Sequence, residues 1–194
     1  SAGYGSDVRA ADRPGAGHQP GLPVGRPLVR QPLLRRLLLI PATGFGSGYF
    51  PVASGTAGTL FAGVPLYLLL YYLAPVWWVY GVVTMLLISV GPFLCGQADC
   101  AWNTKDCGKI VYDEMIGFLV TMAFIPLSIW TLAAGFFLFR AFDVLKVYPA
   151  NLIERKLPGG AGVFFDDIAA GVYSNFCLWG FVLLTGDMLP RIVF

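Results

Sequence analysis

The chain reads as long uncharged runs broken by short polar stretches. From Ala57 to Gly96 there are 40 residues without a charge. One membrane-crossing helix needs about 20 apolar residues, so this run predicts two helices. Pro75 is the natural break, since the residue before a proline is pushed out of helical geometry, and the helices fall at about 59–73 and 76–95. The first is short for a full crossing. Tyr71, Tyr72, Trp77, Trp78 and Tyr80 gather around the break, as aromatic residues do where a membrane meets water.

A polar stretch, Gln97 to Glu114, is followed by 25 uncharged residues from Met115 to Phe139. Pro126 and Ser128 lie near the centre of that run and predict a turn there. The alternatives differ in consequence. A single crossing would put Asp113 and Glu114 on the opposite side from Asp143, Asp166 and Asp167, whereas a hairpin brings all five to one side. Counted from Leu127, Asp113 is 14 residues back and Asp143 is 16 forward, so both lie roughly 21–24 Å from the turn at 1.5 Å per residue. The hairpin is the expected form. A second polar stretch, Arg140 to Asp167, leads to 19 uncharged residues from Ile168 to Gly186, the expected last crossing. The fold expected is an all-α integral membrane helical bundle of four to five helical segments.

Composition agrees with this pattern. Hydrophobic residues make up 57% of the 194 and charged residues 12%, too few charges to cover a water-soluble domain. The net charge of +2 conceals an asymmetry: residues 1–36 carry six arginines against Asp7 and Asp12. Residues 1–31 are expected to be a disordered, basic, Gly/Pro-rich tail, whose arginines suit anionic headgroups or serve only as an extension. The membrane domain is then 32–194. No nucleic-acid partner is expected. The cysteines, Cys95, Cys100, Cys107 and Cys177, lack metal-binding spacing, and the only histidine, His18, lies in the tail, which disfavours zinc.

Ionisable groups at the edge of a bilayer are costly unless paired, hydrated or metal-bound. Of the nine carboxylates outside the tail, five fall in three tight groups: Asp113 with Glu114, Asp143, and Asp166 with Asp167. Helix capping explains Asp166 and Asp167 before Ile168. It does not explain Asp143, which follows an apolar run where the helix dipole disfavours an anion. Metal coordination by all five is the stronger reading. Oxygen ligands without histidine or thiolate suit a hard cation, Mg²⁺ by default where phosphate supplies further oxygens.

A glycine-rich stretch, Thr43-Gly44-Phe45-Gly46-Ser47-Gly48, precedes Ser54-Gly55-Thr56-Ala57-Gly58-Thr59. Such glycines let successive N–H groups face an anion, and Thr43, Ser47, Thr56 and Thr59 add hydroxyls. Glycines also serve close helix packing in membranes, so the stretch alone is a weak phosphate signal. Lys105, Lys109, Arg140 and Lys146 put cations near the acids; a polyanionic substrate and simple charge compensation account for them equally. The absence of histidine outside the tail, of Cys-x5-Arg and of Asp-x-Asp excludes phosphohistidine, cysteine-phosphate and that pattern of aspartyl-phosphate chemistry, and leaves metal-activated water.

With Lys105-Asp106, Ile110-Val111-Tyr112-Asp113-Glu114, Phe139-Arg140-Ala141-Phe142-Asp143-Val144-Leu145-Lys146 and Gly159 to Gly171 added, the ordered motifs over about residues 40–185 resemble the phosphatidylglycerophosphatase A family. The resemblance implies Mg²⁺-dependent hydrolysis of phosphatidylglycerophosphate to phosphatidylglycerol at the bacterial inner membrane, with the site facing the cytoplasm. It implies metal binding and catalysis by Asp113, Glu114, Asp143, Asp166 and Asp167. Phosphate would be held by Thr43, Gly44, Gly46, Ser47, Gly48, Thr56, Thr59, Lys105, Arg140 and Lys146. Departures fall at Ser54 and Val147, where the family's pattern has proline; the acids are all retained. The rival readings are a divalent-cation transporter or channel, since intramembrane carboxylates also mark ion paths, and a non-catalytic lipid-binding subunit.

Overall fold

The computed structural model describes residues 33–51, 53–74, 76–102, 109–148 and 160–185. The expected tail, residues 1–31, and Lys105 lie outside them. Among the described residues six α-helices follow in order: α1 (Leu33–Ala42), α2 (Ser54–Leu73), α3 (Trp77–Trp102), α4 (Tyr112–Thr121), α5 (Ile129–Leu145) and α6 (Gly160–Thr185). No strand occurs among the described residues. The five expected segments are present, and α1 precedes them. Three helices are long and apolar enough to cross a membrane, over 54–73, 77–97 and 161–185. The protein is a membrane helical bundle.

Two boundaries differ from the expected ones. The first crossing begins at Ser54, five residues early, so it is long enough to span; its residues Thr59–Gly63 are wound as a π-helix. The last helix begins at Gly160 and carries Asp166 and Asp167 inside it. These acids therefore do not cap a helix that starts at Ile168.

The short helix α4 is the centre of the molecule. Tyr112, Met115, Ile116, Phe118, Leu119 and Thr121 are all buried, against α2, α3, α5 and α6. At ten residues it is only about 15 Å long, half the hydrocarbon thickness of about 30 Å. It enters from one end, turns over Met122–Ser128 and returns as α5, which is the expected hairpin. Glycines let α6 lie directly on α4: a Cβ at Gly171 would strike the Gly117 carbonyl, and one at Gly117 the Asp167 carbonyl. This is the small-residue contact that membrane helices use where burial of apolar surface gives no driving force.

A hairpin that turns inside a bundle exposes helix-end carbonyls with no water to meet them. Side chains do so instead. Asn175 Nδ2 donates to the carbonyls of Thr121 (2.8 Å) and Ala123 (3.0 Å). The Tyr80 hydroxyl donates to Leu119 O at 2.6 Å. At the start of α5 the Thr131 N–H donates to Ser128 Oγ and the Ser128 N–H to Thr131 Oγ1, a reciprocal cap. Thr131 Oγ1 donates onward to Pro126 O at 2.8 Å.

Candidate active site

The start of α4, the end of α5 and the start of α6 lie at the same end of the bundle and carry the acids. Asp113 and Glu114 occupy the first turn of α4, where the helix dipole favours anions. Asp143 sits in the last turn of α5, one turn after Arg140. Asp166 and Asp167 sit in α6, 3% and 5% exposed. Four of the five, Asp113, Glu114, Asp143 and Asp167, line a single cavity of about 150 Å³ together with Ser54, Ile110, Lys146 and Val163.

Two cations hold the acids. Arg140 Nη1 bridges helices, 2.8 Å from Asp143 Oδ2 and 3.4 Å from Glu114 Oε1. Lys146 ends α5 in the left-handed region (φ 44°), its N–H donating to Phe142 O. Its ammonium is 3.0 Å from Asp166 Oδ2. Glu114 lies on the short helix, outside the three crossings. Burial, reinforced by the Asp113 charge, pushes its carboxyl up to about 8 despite the opposing pull of Arg140.

Glu114 Oε2 is buried and has no hydrogen-bond partner, a state that costs several kcal/mol for a charged oxygen unless a cation meets it. Room for this carboxylate comes from α2. A Cβ at Gly55 would strike Glu114 Oε1, and one at Gly58 would lie 3.0 Å from Oε2. The donors are all carboxylate oxygens, with neither histidine nor cysteine in the lining, so the chemistry fits a hard divalent cation such as Mg²⁺. Among the described residues no three acids already close onto one point. Glu114 and Asp143 are drawn to Arg140, and Asp166, outside the cavity lining, to Lys146.

The glycine-rich stretch lies elsewhere. Thr43 Oγ1 donates to Leu39 O (2.9 Å), Ser47 Oγ to Thr43 O (3.4 Å) and Thr59 Oγ1 to Gly55 O (3.0 Å). Gly44 and Gly46 take positive φ to form the turn, and Gly48 leaves room for the Lys109 carbonyl. None of Thr43, Gly44, Gly46, Ser47, Gly48, Thr56 or Thr59 lines the acid cavity. The turn instead docks the segment leading into α4, with the Val111 N–H donating to Ala42 O at 3.0 Å. Sequence reasoning missed Ser54, Gly55 and Gly58 as site-forming residues. The signal was in the same motif: two glycines a helical turn apart, whose use is the missing side chain.

Comparison with known proteins identifies the family. Residues 40–182 match the phosphatidylglycerophosphatase A family. The chain is similar to the phosphatidylglycerophosphatase A of Escherichia coli K12, 42% identical over 134 residues, covering 69% of this chain and 76% of that protein. It is 38% identical over 149 residues to the Haemophilus influenzae protein of the same name, covering 76% and 90%. A Bacteroides thetaiotaomicron protein named "Putative phosphatidylinositol-3-phosphatase" is 35% identical over 144 residues, covering 71% and 89%. No solved structure matches the chain. On the extent of these matches and the ordered motifs that carry its acids, the chain belongs to the phosphatidylglycerophosphatase A family.

Proposed function

We propose that this protein hydrolyses phosphatidylglycerophosphate to phosphatidylglycerol and phosphate, with Mg²⁺, at the cytoplasmic face of the bacterial inner membrane. The observation that carries the reading is the convergence of acids from three helices, with Lys146, on one cavity, and of Arg140 on two of those acids, in a chain of this family. Asp113, Glu114, Asp143 and Asp167 would hold the metal, and Asp166, paired with Lys146 here, completes the five. When bound, the metal supplies Lewis-acid polarisation of a water and of the phosphoryl oxygens.

The chain's own groups bind and orient. Arg140 offers a planar fork matched to phosphate, and Lys146, in the cavity lining, a point charge. Both are held by acids in this structure, and with Glu114 and Asp143 holding a metal Arg140 would be available to pair with the phosphate. The lipid-facing helices keep the diacylglycerol part in the bilayer, so the phosphate reaches the cavity while the chains stay solvated by lipid. A divalent-cation pathway is the weaker reading, because Arg140 and Lys146 would place two positive charges in its path.

The test gives the purified protein phosphatidylglycerophosphate in detergent with Mg²⁺ or with EDTA, and measures released phosphate. Phosphatidylinositol 3-phosphate serves as the competing substrate. Release from phosphatidylglycerophosphate with Mg²⁺ and none with EDTA is the expected result. Equal release with EDTA would overturn the metal, and preference for the inositol lipid would overturn the substrate.

A further inference from the structure

The two acids of α6 face different ways. Successive residues of a helix are turned by about 100°, so Asp166 and Asp167 cannot share a face. Asp167 lines the acid cavity together with Val163, one turn before it, and Asp166 does not. Yet Asp166 is as deeply buried, 3% exposed against 5%. A buried charge is costly without a partner, and Asp166 has one in Lys146, whose ammonium is 3.0 Å from its Oδ2.

Lys146 in turn reaches the cavity, which it helps to line. Its place is set from outside its own helix. α5 stops at Leu145 and Lys146 takes φ 44°, a left-handed conformation that a residue with a side chain adopts at a cost and keeps where its surroundings hold it. Those surroundings are on α6. The Tyr173 hydroxyl donates to Tyr148 O at 3.2 Å, and the Tyr173 ring packs on Phe142 with 5.8 Å between centroids. Tyr173 follows Asp166 by seven residues, two helical turns, so both lie on one face of α6. That face fastens the end of α5 before, at and after Lys146, while the face of Val163 and Asp167 borders the cavity.

We propose that Asp166 is a positioning residue and not a metal ligand: it holds the Lys146 ammonium at the cavity, where Lys146 pairs with a phosphate. The inference rests on the proposed reading of the acid cavity and gives its fifth acid a separate task. An ammonium carries three N–H donors, so one stays on Asp166 while the others meet phosphate oxygens. A lysine with its side chain 39% exposed would otherwise spread over many rotamers, and Asp166 removes that freedom before the phosphate arrives.

The test follows the melting temperature of the full chain in detergent, first against Mg²⁺ and then against inorganic phosphate at saturating Mg²⁺. Neither titration needs turnover, so the result stands apart from the choice of lipid substrate. In Asp166→Asn the Mg²⁺ midpoint is expected within about twofold of the parent's, whereas Asp167→Asn should weaken it at least about tenfold. The phosphate midpoint should weaken about fivefold in Asp166→Asn and in Lys146→Gln, no further in the double variant, and recover in Asp166→Glu. Should Asp166→Asn fail to fold, the double variant, which leaves neither charge of the pair unmatched, is compared with Lys146→Gln, and their Mg²⁺ midpoints should agree. A parent indifferent to Mg²⁺ would refute the metal reading of the cavity, and phosphate midpoints taken without Mg²⁺ would still decide the role of Asp166. A Mg²⁺ midpoint weakened about tenfold in Asp166→Asn would overturn the proposal. So would a phosphate midpoint that Asp166→Asn leaves unchanged, losses that multiply in the double variant, or a parent that phosphate does not stabilise.

Discussion

The two ends of the α4–α5 hairpin are built from opposite materials. At the turn, the neighbouring cavity is the larger, about 530 Å³, and its lining is aromatic and aliphatic with no charged residue: Tyr67, Tyr71, Tyr72, Trp77, Tyr80 and Phe124 among them. At the open end the cavity is about 150 Å³ and carries four carboxylates and a lysine. Size would choose the first as the functional site; chemistry chooses the second. Near the turn Asn175, Tyr80 and Thr131 each meet backbone carbonyls, and the groups left unmet are neutral hydroxyls, those of Tyr67 and Thr84. Those at the open end are left in tension, with a buried Glu114 oxygen unmet. Matched groups hold a shape. An unmet carboxylate oxygen costs far more than an unmet hydroxyl, and it is kept where a cation completes it.

This contrast can be broken from either side. The largest effect is expected at the acid end, where Asp113→Asn, Asp143→Asn or Asp167→Asn should each lower phosphate release by at least about 100-fold. Melting temperatures of Asp113→Asn and Asp167→Asn should stay the same or rise, since one of several crowded negative charges is removed, whereas Asp143→Asn should lower it by giving up the Arg140 pair. Next is the metal itself. Mg²⁺ at about 100 times its Kd should stabilise the protein by about 2.7 kcal/mol, read as a rise in melting temperature that Asp143→Asn abolishes.

At the turn the pattern reverses. Asn175→Leu leaves the Thr121 and Ala123 carbonyls unmet and should cost about 1–3 kcal/mol of stability, while kcat of the folded fraction stays near the parent's. The smallest effect is expected for Tyr80→Phe, which removes one hydroxyl from Leu119 O and should cost about 1 kcal/mol. If Asn175→Leu abolished turnover in protein that melts normally, the division of labour between the two ends would fail.

The hairpin was legible because two independent signals agreed: Pro126 near the centre of an uncharged run, and acids at matching distances on either side of it. The crossings were legible from the same uncharged runs. The start of α6 was not, since Gly160-Ala161-Gly162 has the composition of a loop; the helix packs closely on α4 at Gly171, a contact that local preference does not register. The helix α1 was missed for the reverse reason, being short and placed next to an arginine-rich segment.

Within the site, carboxylates stood out because a membrane chain keeps few of them. The glycine motif was harder to read. Its hydroxyls suggested phosphate, yet those of Thr43 and Thr59 are spent on carbonyls four residues back. The residues that shape the acid cavity are Gly55 and Gly58, through the side chain of Glu114, a residue far along the chain. Sequence order carries no trace of such a pairing.

The central claim is that acids on α4, α5 and α6 act as one site. The most direct test compares phosphate release by the Asp113→Asn, Asp143→Asn and Asp167→Asn variants with that of the triple variant. Groups that act as a unit are strongly non-additive, so each single change should cost nearly as much as all three together. Three modest losses that multiply in the triple variant, or a single variant with full activity, would contradict it.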